Sequence, residues 1–140
     1  MAANEVFADT SALYALIDRR DARHTVAREA VEKIVRAGRL IVTTDYVVTE
    51  AVNLANARGG KLVAGRVLDL IKQSAGIRVE WIGVERFTRT KAYFRKHADH
   101  GYSFTDCTSF IVMKEERLTE ALSTDAHFVE AGFKSLIPIG

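Results

Sequence analysis

The chain has 140 residues, 48% of them hydrophobic and 27% charged, a balance that suits one soluble globular domain spanning 1-140 and excludes a disordered polymer. No apolar run approaches the roughly 20 residues of a membrane helix, and one cysteine, Cys107, excludes an internal disulfide framework. The net charge of +2 neither establishes nor excludes a nucleic-acid partner, because basic surface can surround a local acidic site. Residues 1–5 lack the basic and long apolar regions of a secretory signal, so a cytoplasmic protein is expected.

Val6, Phe7 and Ala8 form a short apolar run that ends in Asp9, read as a buried strand whose carboxyl end delivers that acid to the surface. Thr10 or Ser11 is expected to cap the helix that follows over residues 12–17. A polar break at 18–21 leads into residues 23–37, where Val26, Ala30, Ile34 and Ala37 recur at helical spacing before Gly38. Residues 40–43 read as a second buried strand. Thr44 and Asp45 can cap a helix carrying Val47, Glu50, Ala51 and Leu54; residues 58–61 read as a turn and 62–71 as a further helix.

After Gly76 the alternation over 77–82 predicts a third strand, and residues 85–98 a basic, aromatic helix. A loop over 101–106 enters an apolar helix that runs through Met113. Residues 121–123 are a fourth strand candidate, Thr124 and Asp125 precede a short helix around Phe128, and 136–139 suit an edge strand, where Pro138 is tolerated. Strands alternating with helices over short links predict a parallel α/β sheet. Sites in such sheets lie beyond the carboxyl ends of the strands.

Four acids, Asp9, Glu50, Asp106 and Asp125, fall where this topology can bring them together. Each has an ordinary explanation by itself: the aspartates sit near helix starts, where negative charge is favourable, and Glu50 fits a solvated helix face. Capping alone does not need four acids at one sheet edge. Clustered carboxylates repel one another and raise at least one pKa unless a cation intervenes. Mg²⁺ or Mn²⁺ takes oxygen ligands of this kind and bridges them to substrate phosphates, which suits phosphodiester cleavage.

Asp9-Thr10-Ser11, Glu50 in a helix, Thr105-Asp106 opening a helix, and Ser123-Thr124-Asp125-Ala126-His127-Phe128 together resemble the PIN-domain ribonucleases, most of all the VapC-type toxins of toxin–antitoxin pairs. The resemblance covers essentially the whole chain. It implies an α/β/α sandwich with a central, mainly parallel sheet and metal-dependent endoribonuclease activity. It also implies that Asp9, Asp106 and Asp125 hold Mg²⁺ or Mn²⁺, while Glu50 ligates the ion or positions the attacking water. Ser11 and Ser123 match hydroxyl positions that support the acids. A homodimer and a small inhibitory antitoxin are implied as well. The expected reaction is attack of water on phosphorus in line with the leaving 3′ oxygen, giving 5′-phosphate and 3′-hydroxyl ends.

Two rival readings remain. A phosphotransfer domain would use Asp9 as nucleophile, but the Asp-x-Asp pair is absent, since Ser11 stands two positions on. A non-catalytic RNA- or protein-binding module would keep the fold without needing four acids.

Basic residues gather at Arg19, Arg20, Arg23 and Arg28 and again at Arg86, Arg89, Lys91, Arg95 and Lys96. The aromatics of the second group, Phe87, Tyr93 and Phe94, are expected in the core. His97, His100 and Cys107 fall short of a zinc set, Gly59-Gly60-Lys61 is no phosphate loop, and His127 is expected to line the site without acting as general base. The apolar positions of 47–55 and 62–71 serve either a dimer contact or internal packing.

Overall fold

The computed structural model describes residues 4–139; of the N-terminal segment expected to hold no secretory signal, residues 1–3 lie outside that range. The elements follow in the order β1 (Glu5–Ala8), α1 (Thr10–Ile17), α2 (His24–Arg36), β2 (Leu40–Thr44), α3 (Asp45–Gln73), β3 (Ile77–Glu80), α4 (Gly83–Lys96), α5 (Phe104–Glu115), β4 (Glu120–Leu122), α6 (Ala126–Glu130) and β5 (Lys134–Ser135). The strands form one five-stranded sheet in the order β3-β2-β1-β4-β5, and every pairing is parallel. The expected α/β architecture with a mainly parallel sheet is therefore present, with no antiparallel strand among the described residues.

β1 is central because its sequence suits burial on both faces: Val6, Phe7 and Ala8 are all fully enclosed. Continuous apolar runs mark such strands, in contrast to the alternation of half-exposed ones. Phe7 stacks on Phe128 with ring centroids 6.3 Å apart, and Phe128 meets the edge of Phe110 at 5.0 Å. These rings tie β1, α6 and α5 into one core; truncating Phe110 to alanine would cost about 3–5 kcal/mol at such a site. No helix of the described residues is long and apolar enough to cross a membrane.

Two local expectations change. Thr10 and Ser11 do not cap α1, because the cap position is Asp9 and both hydroxyls point to acids instead. The turn expected at 58–61 is present as a kink at Gly60 that joins the two helical halves of α3, with a φ of 79°, a left-handed conformation that an L side chain rarely adopts. The edge strand is Lys134–Ser135, two residues before the apolar run expected to form it. Lys134 and Leu136 donate their N–H groups to the Thr119 and Ala121 carbonyls, which sets the register, and Ile137 is buried just beyond the strand. Thr44 caps α3 as expected, accepting the Val47 N–H at 3.1 Å.

Candidate active site

β1 and β4 are neighbours, so their carboxyl ends place Asp9 beside the Ser123-Thr124-Asp125 segment. Asp9 occupies the cap position of α1 but makes no capping bond with its side chain. Its Oδ2 instead accepts the hydroxyls of Ser123 at 3.0 Å and Ser11 at 3.3 Å. The same two hydroxyl oxygens accept backbone N–H groups, Ser123 from Asp125 at 3.0 Å and Ser11 from Thr124 at 3.1 Å. The two serines thus lock the β4–α6 turn onto the first acid.

Asp106 enters from α5 through a capping box. Ser103 Oγ accepts the Asp106 N–H at 3.0 Å, and Asp106 Oδ2 accepts the Ser103 N–H at 3.1 Å. The same Oδ2 lies 3.0 Å from His127 Nδ1, which is also 3.3 Å from Asp125 Oδ1. Asp125 caps α6 by accepting the His127 N–H at 2.9 Å. Capping therefore accounts for part of what Asp106 and Asp125 do, and for nothing that the Asp9 carboxylate does.

Glu50 projects from α3 at the exposed margin of this group, where Thr10 Oγ1 donates to its Oε1 at 2.7 Å. A pocket of about 380 Å³ opens beside it, lined by Asp45, Tyr46, Thr49, Glu50, Asn53 and Thr105.

Asp9 and Asp106 are only 5% and 7% exposed. Burial pushes the Asp9 carboxyl up to about 7; the charges of Asp106 and Asp125 add to this, while the Thr10 N–H and the Ser123 hydroxyl oppose it. Burial also raises Asp106, with the Ser103 N–H and His127 opposing and Asp125 adding. At His127 burial favours the neutral ring, but the bond with Asp106 and the charges of Asp125, Asp106 and Glu130 outweigh it and raise the pKa. Asp9 and Asp106 are thus held dry, and the charges of Asp106 and Asp125 repel Asp9.

The donor set suits a hard divalent cation. Ligand atoms of Asp106, Asp125 and His127 lie within 4.8 Å of one another, and Asp9 is near enough to feel the charges of both aspartates. Carboxylate oxygens are the ligands that Mg²⁺ and Mn²⁺ prefer, and positive charge there would relieve the repulsion that raises Asp9.

Sequence reasoning missed Thr10, Ser103 and the closeness of His127 to two acids. The spacing Ser103-x-x-Asp106 was a readable capping signal. Thr10 carried none, since its bond to Glu50 spans 40 residues. Cys107 is fully buried with its thiol pushed up to about 11 by burial, and it joins no metal-like group among the described residues. Of the α4 aromatics, Tyr93 reaches the Phe110 ring at 6.2 Å, but Phe87 and Phe94 pack on Phe104 and remain about 40% exposed, outside the expected core.

An acid cluster at the carboxyl end of a central parallel strand defines this protein as an α/β fold built around a charged, largely dehydrated site. The sequence profile of the PIN domain matches residues 6–134, and the chain belongs to the PIN domain family. It is 31% identical over 133 residues to the 23S rRNA-specific endonuclease VapC20 of Mycobacterium tuberculosis, in strains CDC 1551 and H37Rv alike, covering 95% of this chain and 98% of that protein. The crystal structure of M. tuberculosis VapC20, a sarcin-ricin loop cleaving toxin, superposes with a TM-score of 0.80 over 91% of this chain and 95% of that one. FitAcB from Neisseria gonorrhoeae shares the fold, with a TM-score of 0.62 at 14% identity over 93% of this chain and 95% of that one.

Proposed function

We propose that the protein is an endoribonuclease that hydrolyses RNA phosphodiester bonds as the toxin of a VapBC-type pair. The observation that carries this reading is the convergence of Asp9, Asp106 and Asp125, with His127 against two of them, beyond the ends of β1 and β4. The likeness to VapC20 along nearly the whole chain supports it.

Asp9, Asp106 and Asp125 are the residues that would hold Mg²⁺ or Mn²⁺. When bound, such an ion neutralises charge on the phosphate and makes water a stronger nucleophile at neutral pH. Ser11 and Ser123 fix the orientation of Asp9, Ser103 and His127 fix that of Asp106, and the Thr10 hydroxyl fixes Glu50. Glu50, exposed at the rim, orients the water that attacks phosphorus and accepts its proton. The P–O3′ bond then breaks as the departing 3′ oxygen takes a proton from solvent, leaving a 5′-phosphate and a 3′-hydroxyl.

Residues 1-140 act as one unit in the cytoplasm. A small antitoxin protein restrains them, and a homodimer forms through the second half of α3, where Leu62 is 76% exposed and Leu68 53%.

The test is incubation of purified protein with total RNA in Mg²⁺, Mn²⁺ or EDTA, beside Asp106→Asn, with the fragment ends sequenced. Discrete cuts that need the ion and vanish in the variant support the reading. An ion-binding protein that cuts no RNA would make the fold a binding module instead.

A further inference from the structure

We infer that a second phosphate-binding site for the RNA strand lies at the far end of α1, in an arginine-lined pocket against the kink of α3; this rests on the reading of the protein as an RNA nuclease. Arg19, Arg20, Arg58 and Arg66 line a cavity of about 430 Å³ in which Asp18 is the sole lining acid. Asp18 is already engaged: Tyr14 Oη donates to its Oδ2 at 2.5 Å, and Arg20 reaches its Oδ1 from the backbone N–H at 2.9 Å and from Nε at 3.4 Å. Among the described residues, Arg19, Arg58 and Arg66 form no ion pair with a carboxylate. Arg19 and Arg66 therefore stay available to an anion, with Arg58 held against Tyr14 at the same concavity, and the planar forks of such guanidinium groups match phosphate oxygens two at a time.

In the other basic cluster Arg86 and Arg89 are spent internally: Arg86 pairs with Glu80, Glu115 and Glu116, and Arg89 with Glu115. Lys91, Arg95 and Lys96 form no ion pair among the described residues but line no pocket of several arginines. In the first group Arg20 pairs with Asp18 and Arg28 with Glu32, while Arg19 and Arg23 form no ion pair among the described residues. The fold also adds Arg58 and Arg66 to the first group from α3.

The pocket lies in line with the acids. Thr10 touches Glu50, and the Arg58 guanidinium sits 4.9 Å from the centre of the Tyr14 ring, so α1 and α3 run side by side in the same direction. Along α3 the rise from Glu50 to Arg58 is about 12 Å. A single strand with one phosphate at the acids can follow this pair of helices and set a phosphate a few nucleotides away among the arginines. The Tyr14 ring is buried beneath Arg58, leaving no open aromatic face for a base. Such a pocket reads backbone charge, holding register without choosing sequence.

The experiment measures binding of a labelled single-stranded oligoribonucleotide to the full chain in EDTA over a KCl series, for the parent, Arg19→Gln/Arg66→Gln and Arg95→Gln/Lys96→Gln. All four positions are exposed, so thermal melting should be unchanged. Losing two phosphate contacts should lower the slope of log affinity against log salt by about 1.4, while the α4 pair, equal in charge removed, should leave it unchanged. A parental slope in Arg19→Gln/Arg66→Gln would overturn the site and leave the nuclease reading standing. A parent with no salt-dependent RNA binding would sink both. Loss of binding to poly-glutamate with the RNA slope intact would assign the pocket to an acidic protein segment and overturn the RNA assignment.

Discussion

The Ser123 hydroxyl donates to Asp9 Oδ2 across 114 residues of sequence while its oxygen accepts the Asp125 N–H. One fully buried side chain thus sets the spacing of two acids. Ser123→Ala should lower RNA cleavage by about 10–100-fold, the usual effect of removing a partner that orients a ligand. Steady-state cleavage should register this loss while circular dichroism shows an intact fold. Parental activity in Ser123→Ala would show that Ser11 alone suffices to hold Asp9.

Asp9 carries a thermodynamic signature. Its carboxyl holds a proton up to about 7 in the folded chain, against 3.8 ordinarily. Between those values the folded state binds more protons than the unfolded state. The contribution of Asp9 to the stability of the ion-free protein should therefore be most favourable below pH of about 4, fall as pH rises towards about 7, and level off above. Urea midpoints in EDTA at pH 5, 6 and 8 will read this slope. Asp9→Asn should abolish it and raise the midpoint at pH 8, and should also abolish cleavage; an acid that weakens the fold where it serves a site is the expected trade-off.

Divalent ions should act in the opposite sense. Mg²⁺ or Mn²⁺ at about 100 times its dissociation constant would stabilise the folded chain by about 2.7 kcal/mol. The thermal midpoint at pH 8 should rise with Mn²⁺ and return with EDTA. Asp125→Asn should blunt the rise. A parent that melts at one temperature in both conditions would argue against the ion site itself.

His127 connects Asp106 with Asp125. Removing it as His127→Ala should let the Asp106 carboxyl rise further, since the bond now opposes the effect of burial. Cleavage should fall, and the acidic limb of its pH profile should move to higher pH. A lower rate with an unmoved profile would reduce His127 to a packing role.

Arg86 offers a contrast in stability. Its side chain is 16% exposed and holds Glu80 and Glu115 with Nη1 and Nε, besides the Trp81 carbonyl. Arg86→Ala should cost about 2 kcal/mol, within the range for charge-assisted hydrogen bonds, and lower the thermal midpoint. RNA affinity in still-folded protein should be unchanged.

Much of this was legible in the sequence because the informative signals are local. The apolar run of β1, the glycine stops and the position of each aspartate at a strand end or helix start all lie within a few residues of what they predict. The bond from Thr10 to Glu50 depends on how α1 packs against α3. The neutralisation of Arg86 depends on Glu115, which is 29 residues away. β5 was misplaced because an apolar run signals burial, and residues 136–137 meet that need just outside the strand. The register of β5 is set by the Thr119 and Ala121 carbonyls, just before and within β4, which no pattern in the tail encodes.

The sheet order has a consequence for the chain during its synthesis. β1 is made first, but its neighbour β4 comes near the end, bringing Ser123 and Asp125 with it. A growing polypeptide that has emerged only as far as α5 already carries Asp9, Glu50 and Asp106, yet it lacks the strand that anchors the first of them. The cluster is therefore completed only once β4 has been made and has paired with β1, so the order of synthesis sets the order in which the acids come together.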